Sequence, residues 1–159
     1  LPQLVVERMA YRHGAEAQAI CELAARAPHL RTPICRCEQV IAAELIWSIR
    51  NEEGRRLADL RRRNRLAMGP GRGIDGAAAA AAVLAREANL APAAQRRELV
   101  DLLQLRWKGH RPVLGGVGMA QAELTRAIHL ATGALGLAPV ADGIPAARVE
   151  VGEDGGAVA

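Results

Sequence analysis

The chain contains no phenylalanine, one tyrosine and two tryptophans among 159 residues. A core without large aromatics is filled mostly by Ala and Leu, and side chains that small pack best between closely approaching helices. The same poverty argues against a nucleic-acid surface, because base stacking wants aromatic platforms beside basic residues. Cysteine is scarce too: Cys21, Cys35 and Cys37 are all there is. An odd number with no spaced framework argues against a disulfide-stapled secreted fold and for a reducing compartment. No apolar run approaches the ~20 residues needed to span a bilayer. The opening LPQLVVERMAYRHG has no basic region followed by an apolar stretch, so no signal peptide is expected. It also lacks an initiator Met, and the chain reads as a piece of a longer protein. Net charge is a mild +4, from 21 basic and 17 acidic residues, which serves solubility more than it names a partner.

What is present favours helices. Half of the chain is hydrophobic, and Ala, Leu, Arg and Glu are good helix formers. Leu4, Val5, Val6, Met9 and Ala10 predict a first helix between Pro2 and Gly14. A second spans Ala15 to Ala27, where Ala17, Ile20, Cys21 and Ala24 recur at helical spacing and place Cys21 on the buried face. HLRTPICRCE reads as a loop delivering Cys35 and Cys37 to the head of a third helix, Cys37 to Glu53. That helix is apolar around most of its circumference and is therefore central. RRLADLRRRNRLAM gives a short basic helix whose Arg61, Arg62, Arg63 and Arg65 form a solvated face. An alanine run opens a helix to Glu87, Pro92 starts a longer one, and Met119 to Thr132 is the last. Trp47 and Trp107 read as core anchors, and His13, His29, His110 and His129 as surface or capping residues. The expected fold class is all-α, a compact bundle of six or seven helices with a flexible C-terminal tail over 139–159. The expected organisation is a helical pair over 1–34, a central region over 35–90, C-terminal helices over 91–138, and the tail. Within the tail, Arg148 to Val151 carries a thin strand signal.

One stretch, MGPGRGIDG followed by six alanines, asks for a separate reading. Gly71-x-Gly73-x-x-Gly76 has the spacing of a dinucleotide fingerprint, but that fingerprint needs a strand before it and a βαβ unit around it. Here the preceding LRRRNRLA is helical and charged. The stretch is either a turn into the alanine-rich helix with Asp75 as N-cap, or an anion site at a helix start assisted by Arg72. Cys35-x-Cys37 also lies at an expected helix start. Two such starts facing each other would suit an anionic iron–sulfur cluster.

The segment PICRCEQVIAAELIWSIRNEEGRRLADLRRRNRLAMGPGRGIDG resembles the bacterioferritin-associated-ferredoxin-like 2Fe-2S domain. More narrowly, it resembles the version at the C-terminus of FAD-dependent, respiratory-type glycerol-3-phosphate dehydrogenases. That pattern is Cys-x-Cys, a helix, a basic segment, and then Met-Gly-x-Cys-x-Gly-x-x-Cys. Cys35 and Cys37 match the first pair, Leu57, Asp59, Arg62, Arg63 and Arg65 resemble the basic segment, and Met68, Gly69 and Gly73 match the residues around the second pair. The two remaining ligand positions fall on Gly71 and Gly76, which have no side chain to donate. VVERMAYRHGAEAQAICELAARAP and LLQLRWKGHRPVL with QAELTRAIHLATG are similar to flanking parts of the same enzymes, so the resemblance covers residues 1 to 135.

The resemblance implies a parent enzyme of glycerol metabolism. It would carry FAD outside this chain and oxidise sn-glycerol 3-phosphate to dihydroxyacetone phosphate. For this chain it implies a cytoplasmic accessory domain, not catalytic alone, that docks or caps the flavin domain of the same chain. A membrane surface or an electron-accepting protein are further implied partners, and nucleic acid is not. Residues 35–90 become a degenerate 2Fe-2S-type region in which Cys35 and Cys37 are a metal half-site. A 2Fe-2S cluster wants four protein ligands, so no cofactor is expected in this fragment. His29 and Asp75 are the neighbours available for a mixed iron–sulfur site, and His29 for zinc with the two cysteines. The alternatives are a 2Fe-2S electron-transfer module and an anion- or nucleotide-binding helical domain.

Overall fold

The structure is a computed structural model and describes residues 1–71, 73 and 76–132, with only the backbone of His110 and Thr132. Arg72, Asp75, the expected tail and the strand signal at 148–151 lie outside the described residues. Seven α-helices and one small hairpin make up the described fold, which is all-α in class. Helix α1 (Gln3–His13) follows Pro2 and ends at Gly14, whose φ of 53° is left-handed. Helix α2 (Ala17–Ala25) turns back against it, with Val5 and Met9 of α1 facing Ile20, Leu23 and Ala24. Cys21 is only half-buried, its thiol directed at the Met9 sulfur at 3.6 Å.

The expectation that a helix begins at Cys37 is corrected. Strand β1 (Pro33–Cys35) pairs antiparallel with β2 (Val40–Ile41), and Cys37 sits in the turn between them. Helix α3 (Ala42–Asn51) starts five residues after Cys37. The reason is local: β-branched Val40 and Ile41 suit a strand, and the Glu44 carboxylate accepts the Ile41 N–H at 3.0 Å, which sets the helix start there.

Helix α3 is the centre of the fold, as its composition requires. Ala42, Leu45 and Ile49, at i, i+3 and i+7, face one cluster with Leu57, Leu60, Leu66, Ala80 and Leu84. Ala43 and Ile46 face the other, built from α1 and α2. Helix α4 (Leu57–Asn64) is shorter than the basic segment suggests, because Arg65 and Ala67 adopt left-handed φ values of 58° and 63° and stop it. Helix α5 (Ala77–Glu87) presents Ala80, Ala81 and Leu84 to α3, and alanine allows that close approach. Helix α6 (Pro92–His110) lies along α5, and α7 (Gly116–Thr132) packs on α6. The last helix starts at Gly116, before the expected Met119. No helix among the described residues is long and apolar enough to cross a membrane.

Candidate functional site

The hairpin turn that carries Cys37 is held from α1. Arg8 Nη1 donates to the Cys37 carbonyl at 3.0 Å, and Arg12 donates to the carbonyls of Glu38 at 2.8 Å and Gln39 at 3.3 Å. Arg12 also grips the Glu44 carboxylate through Nε at 2.8 Å and Nη2 at 2.6 Å. Both side chains of this pair are buried, at 2% and 0% exposure. His13 lies 3.0 Å from the same carboxylate and is buried as well, so its reading as a surface residue is corrected. Glu44 therefore ties the start of α3, the end of α1 and the turn together. Sequence reasoning missed this network. Its traces were Arg8 and Arg12 at i and i+4, and an acid three residues into α3.

The glycine stretch comes back to this turn. The Gly71 N–H donates to Cys37 Sγ at 3.3 Å. A side chain at Gly69 would bring its Cβ within 2.7 Å of Cys37 Cβ, and one at Gly76 would run into the Ile34 carbonyl oxygen. Gly73 has φ 82° and sits on Ala67, so both backbone and space demand glycine there. Cys35, Cys37, Gly71 and Gly76, the four positions marked by sequence, thus share one neighbourhood. Cys35 is 3% exposed and Cys37 half-buried. At the rim, Arg65 donates to Glu38 at 2.9 Å, and this hydrogen bond with its charge attraction raises the guanidinium pKa above its ordinary value.

The rest of the expected donor set is not assembled. His29 is exposed, on a short 3-10 turn (Pro28–Arg31), and Asp75 lies outside the described residues. Among the described residues no group of three or more His, Cys, Asp or Glu stands close enough to hold a metal ion. Two thiols supply half of the ligands of a 2Fe-2S cluster. The second loop lies against the hairpin backbone at Gly76, and the Gly71 amide bonds the Cys37 sulfur. The residues present do not fit the cluster.

Much of the basic segment is paired locally. Arg62 pairs with Asp59, Arg63 with Glu52, and Arg56 with Glu98 and Asp101. The hydrogen bond to Glu98 is the main reason the Arg56 pKa is raised.

Residues 1–95 match the family model described as the C-terminal domain of alpha-glycerophosphate oxidase. The chain belongs to this family. Its first 95 residues hold α1 to α5, the hairpin and the glycine loop, so the family match covers the whole candidate site. The chain is also similar to a subunit of the anaerobic glycerol-3-phosphate dehydrogenase of Escherichia coli strain K12, at 35% identity over 119 residues. That alignment covers 75% of this chain and 21% of the relative. The corresponding Haemophilus influenzae protein is 30% identical over 125 residues, 79% of this chain and 22% of the relative. The chain thus spans about a fifth of the length of these relatives. No solved structure matches it. The domain is a helical C-terminal domain of the glycerol-3-phosphate oxidase and dehydrogenase family.

Proposed function

We propose that this domain is the accessory C-terminal domain of a flavin-dependent glycerol-3-phosphate dehydrogenase, that it docks on the flavin domain, and that it holds no 2Fe-2S cluster. The whole enzyme would oxidise sn-glycerol 3-phosphate to dihydroxyacetone phosphate with FAD bound outside this chain. Electrons would pass on to a separate acceptor in the cytoplasm or at a membrane surface. The observation that carries the reading is the closed contact between the two loops. The Gly71 amide bonds the Cys37 sulfur and Gly76 lies against the Ile34 carbonyl, where an iron-binding loop would need thiolates and room. The family match and the two anaerobic dehydrogenase relatives support the parent activity.

The test is anaerobic purification followed by incubation with ferrous iron and sulfide. The expected result is no thiolate charge-transfer absorption beyond ~400 nm and no stoichiometric iron or sulfide. A stable cluster of two irons per chain would refute the reading and establish an electron-transfer module instead. Docking is tested by producing the flavin-bearing part of the parent enzyme as a separate polypeptide and asking whether it co-purifies with this domain.

A further inference from the structure

Helices α6 and α7 and the loop between them line a half-open pocket of about 220 Å³. Leu103, Trp107 and Leu114 form its apolar wall, and Gln121, Arg126 and His129 its polar side. The guanidinium of Arg126 lies over the Trp107 ring, 5.8 Å from its centroid. Its Nε is buried and has no hydrogen-bond acceptor among the described residues. This sets Arg126 apart from Arg12, Arg50, Arg56, Arg63 and Arg65, each of which has a carboxylate partner. A buried N–H of a cation without an acceptor is a costly arrangement that an anion relieves. Stacking on an aromatic face leaves the guanidinium edge free for the forked contact that a carboxylate makes. His129 donates through Nδ1 to the Thr125 carbonyl at 2.7 Å, which leaves Nε2 as its remaining polar atom.

We infer that this cavity binds a small organic carboxylate, its charge on Arg126 and its apolar body against Trp107 and Leu103. The volume lies below the ~300–1,000 Å³ typical of larger ligand sites, and one side is open to solvent. A monocarboxylate with a single ring or short alkyl chain matches the lined part. The site lies in α6 and α7, beyond most of the family match over residues 1–95, and the inference does not depend on the proposed enzyme.

The chain has two tryptophans, so Trp47→Phe makes Trp107 the single reporter in a fluorescence titration. Benzoate is the probe, benzamide its neutral counterpart, and inorganic phosphate a charge without an apolar body. Benzoate should change the Trp107 emission saturably in the millimolar range or tighter, with benzamide and phosphate at least tenfold weaker. Arg126→Gln should abolish the response, and Arg126→Lys, which keeps the charge but loses the fork, should weaken it several-fold. Far-UV circular dichroism checks that both variants remain helical. The comparison of benzoate with benzamide needs no Arg126 variant, so it decides the question even if those variants unfold. Equal binding of benzamide, equal binding of phosphate, or no saturable response would each overturn the inference. So would a response that appears only in a chain ending at Thr132, because the pocket would then belong to the protein's own later residues.

Discussion

Replacing Gly76 with alanine tests whether the two loops close on each other as described. An alanine Cβ at this position would stand 2.1 Å from the Ile34 carbonyl oxygen and 3.7 Å from Cys35 Cα. Gly76 has φ −116° and ψ −12°, which other residues adopt, so the backbone torsions add no strain. The whole effect is steric, and the obstacle is backbone rather than the end of a flexible side chain. Relieving it moves one loop by about 1 Å, and overpacking of this kind costs about 1–3 kcal/mol. The loss of glycine's freedom in the unfolded chain offsets about 0.4–1 kcal/mol. The net destabilisation is therefore about 0–2.6 kcal/mol, centred near 1.3. For a chain of this size a loss of about 1.3 kcal/mol lowers Tm by roughly 3–5 °C.

Thermal and urea unfolding read the stability, and alkylation of Cys37 reads the loop. A displaced loop uncovers the half-buried Cys37 sulfur, against which Gly69 and Gly71 now lie, so alkylation should speed up through better access. Gly14→Ala is the control, since Gly14 has φ 53° and ψ −121°, a conformation that favours glycine, and nothing within 4 Å; it should lose about 1–3 kcal/mol to backbone strain without a change at Cys37. If Gly76→Ala melts with the wild type and Cys37 reacts at the same rate, the closed-loop account is wrong.

Arg12→Ala should cost about 3–5 kcal/mol in urea unfolding, because it removes the guanidinium from the buried Glu44 carboxylate, leaving only His13 and the Ile41 amide on it, and releases the Glu38 and Gln39 carbonyls of the turn. Leu84→Ala, at a fully buried contact between α5 and α3, should cost about 2–5 kcal/mol by the same measurement. Arg63→Ala should change stability by less than about 0.5 kcal/mol, since its pair with Glu52 is long and part-exposed; a larger loss would mean the basic helix does more than solvate its face.

Much of the architecture is legible along the chain. The apolar positions of α3 recur on nearly every side, and a helix with that pattern can only be central. Proline and glycine mark the ends of α1 and the start of α6 for reasons of backbone geometry. The misreading at Cys37 has a physical cause as well. Periodicity does not separate a short strand such as Val40–Ile41 from the first turn of a helix, and only pairing with Pro33–Cys35 resolves it. The buried triad of Arg12, His13 and Glu44 was hidden because Glu44 lies 32 and 31 residues from its two partners, and charged residues are read as surface by default.

By itself the sequence determined the helical class, the central helix and the shortage of thiols, because each follows from residue chemistry and spacing along the chain. Only the tertiary structure decided that the glycine loop lies against the cysteine turn, and that Arg126 stands over Trp107 with no acceptor at Nε among the described residues. Those are distances between residues far apart in sequence or on separate helices. They are set by how α1, α3, α5, α6 and α7 pack, and local propensity contains no information about them.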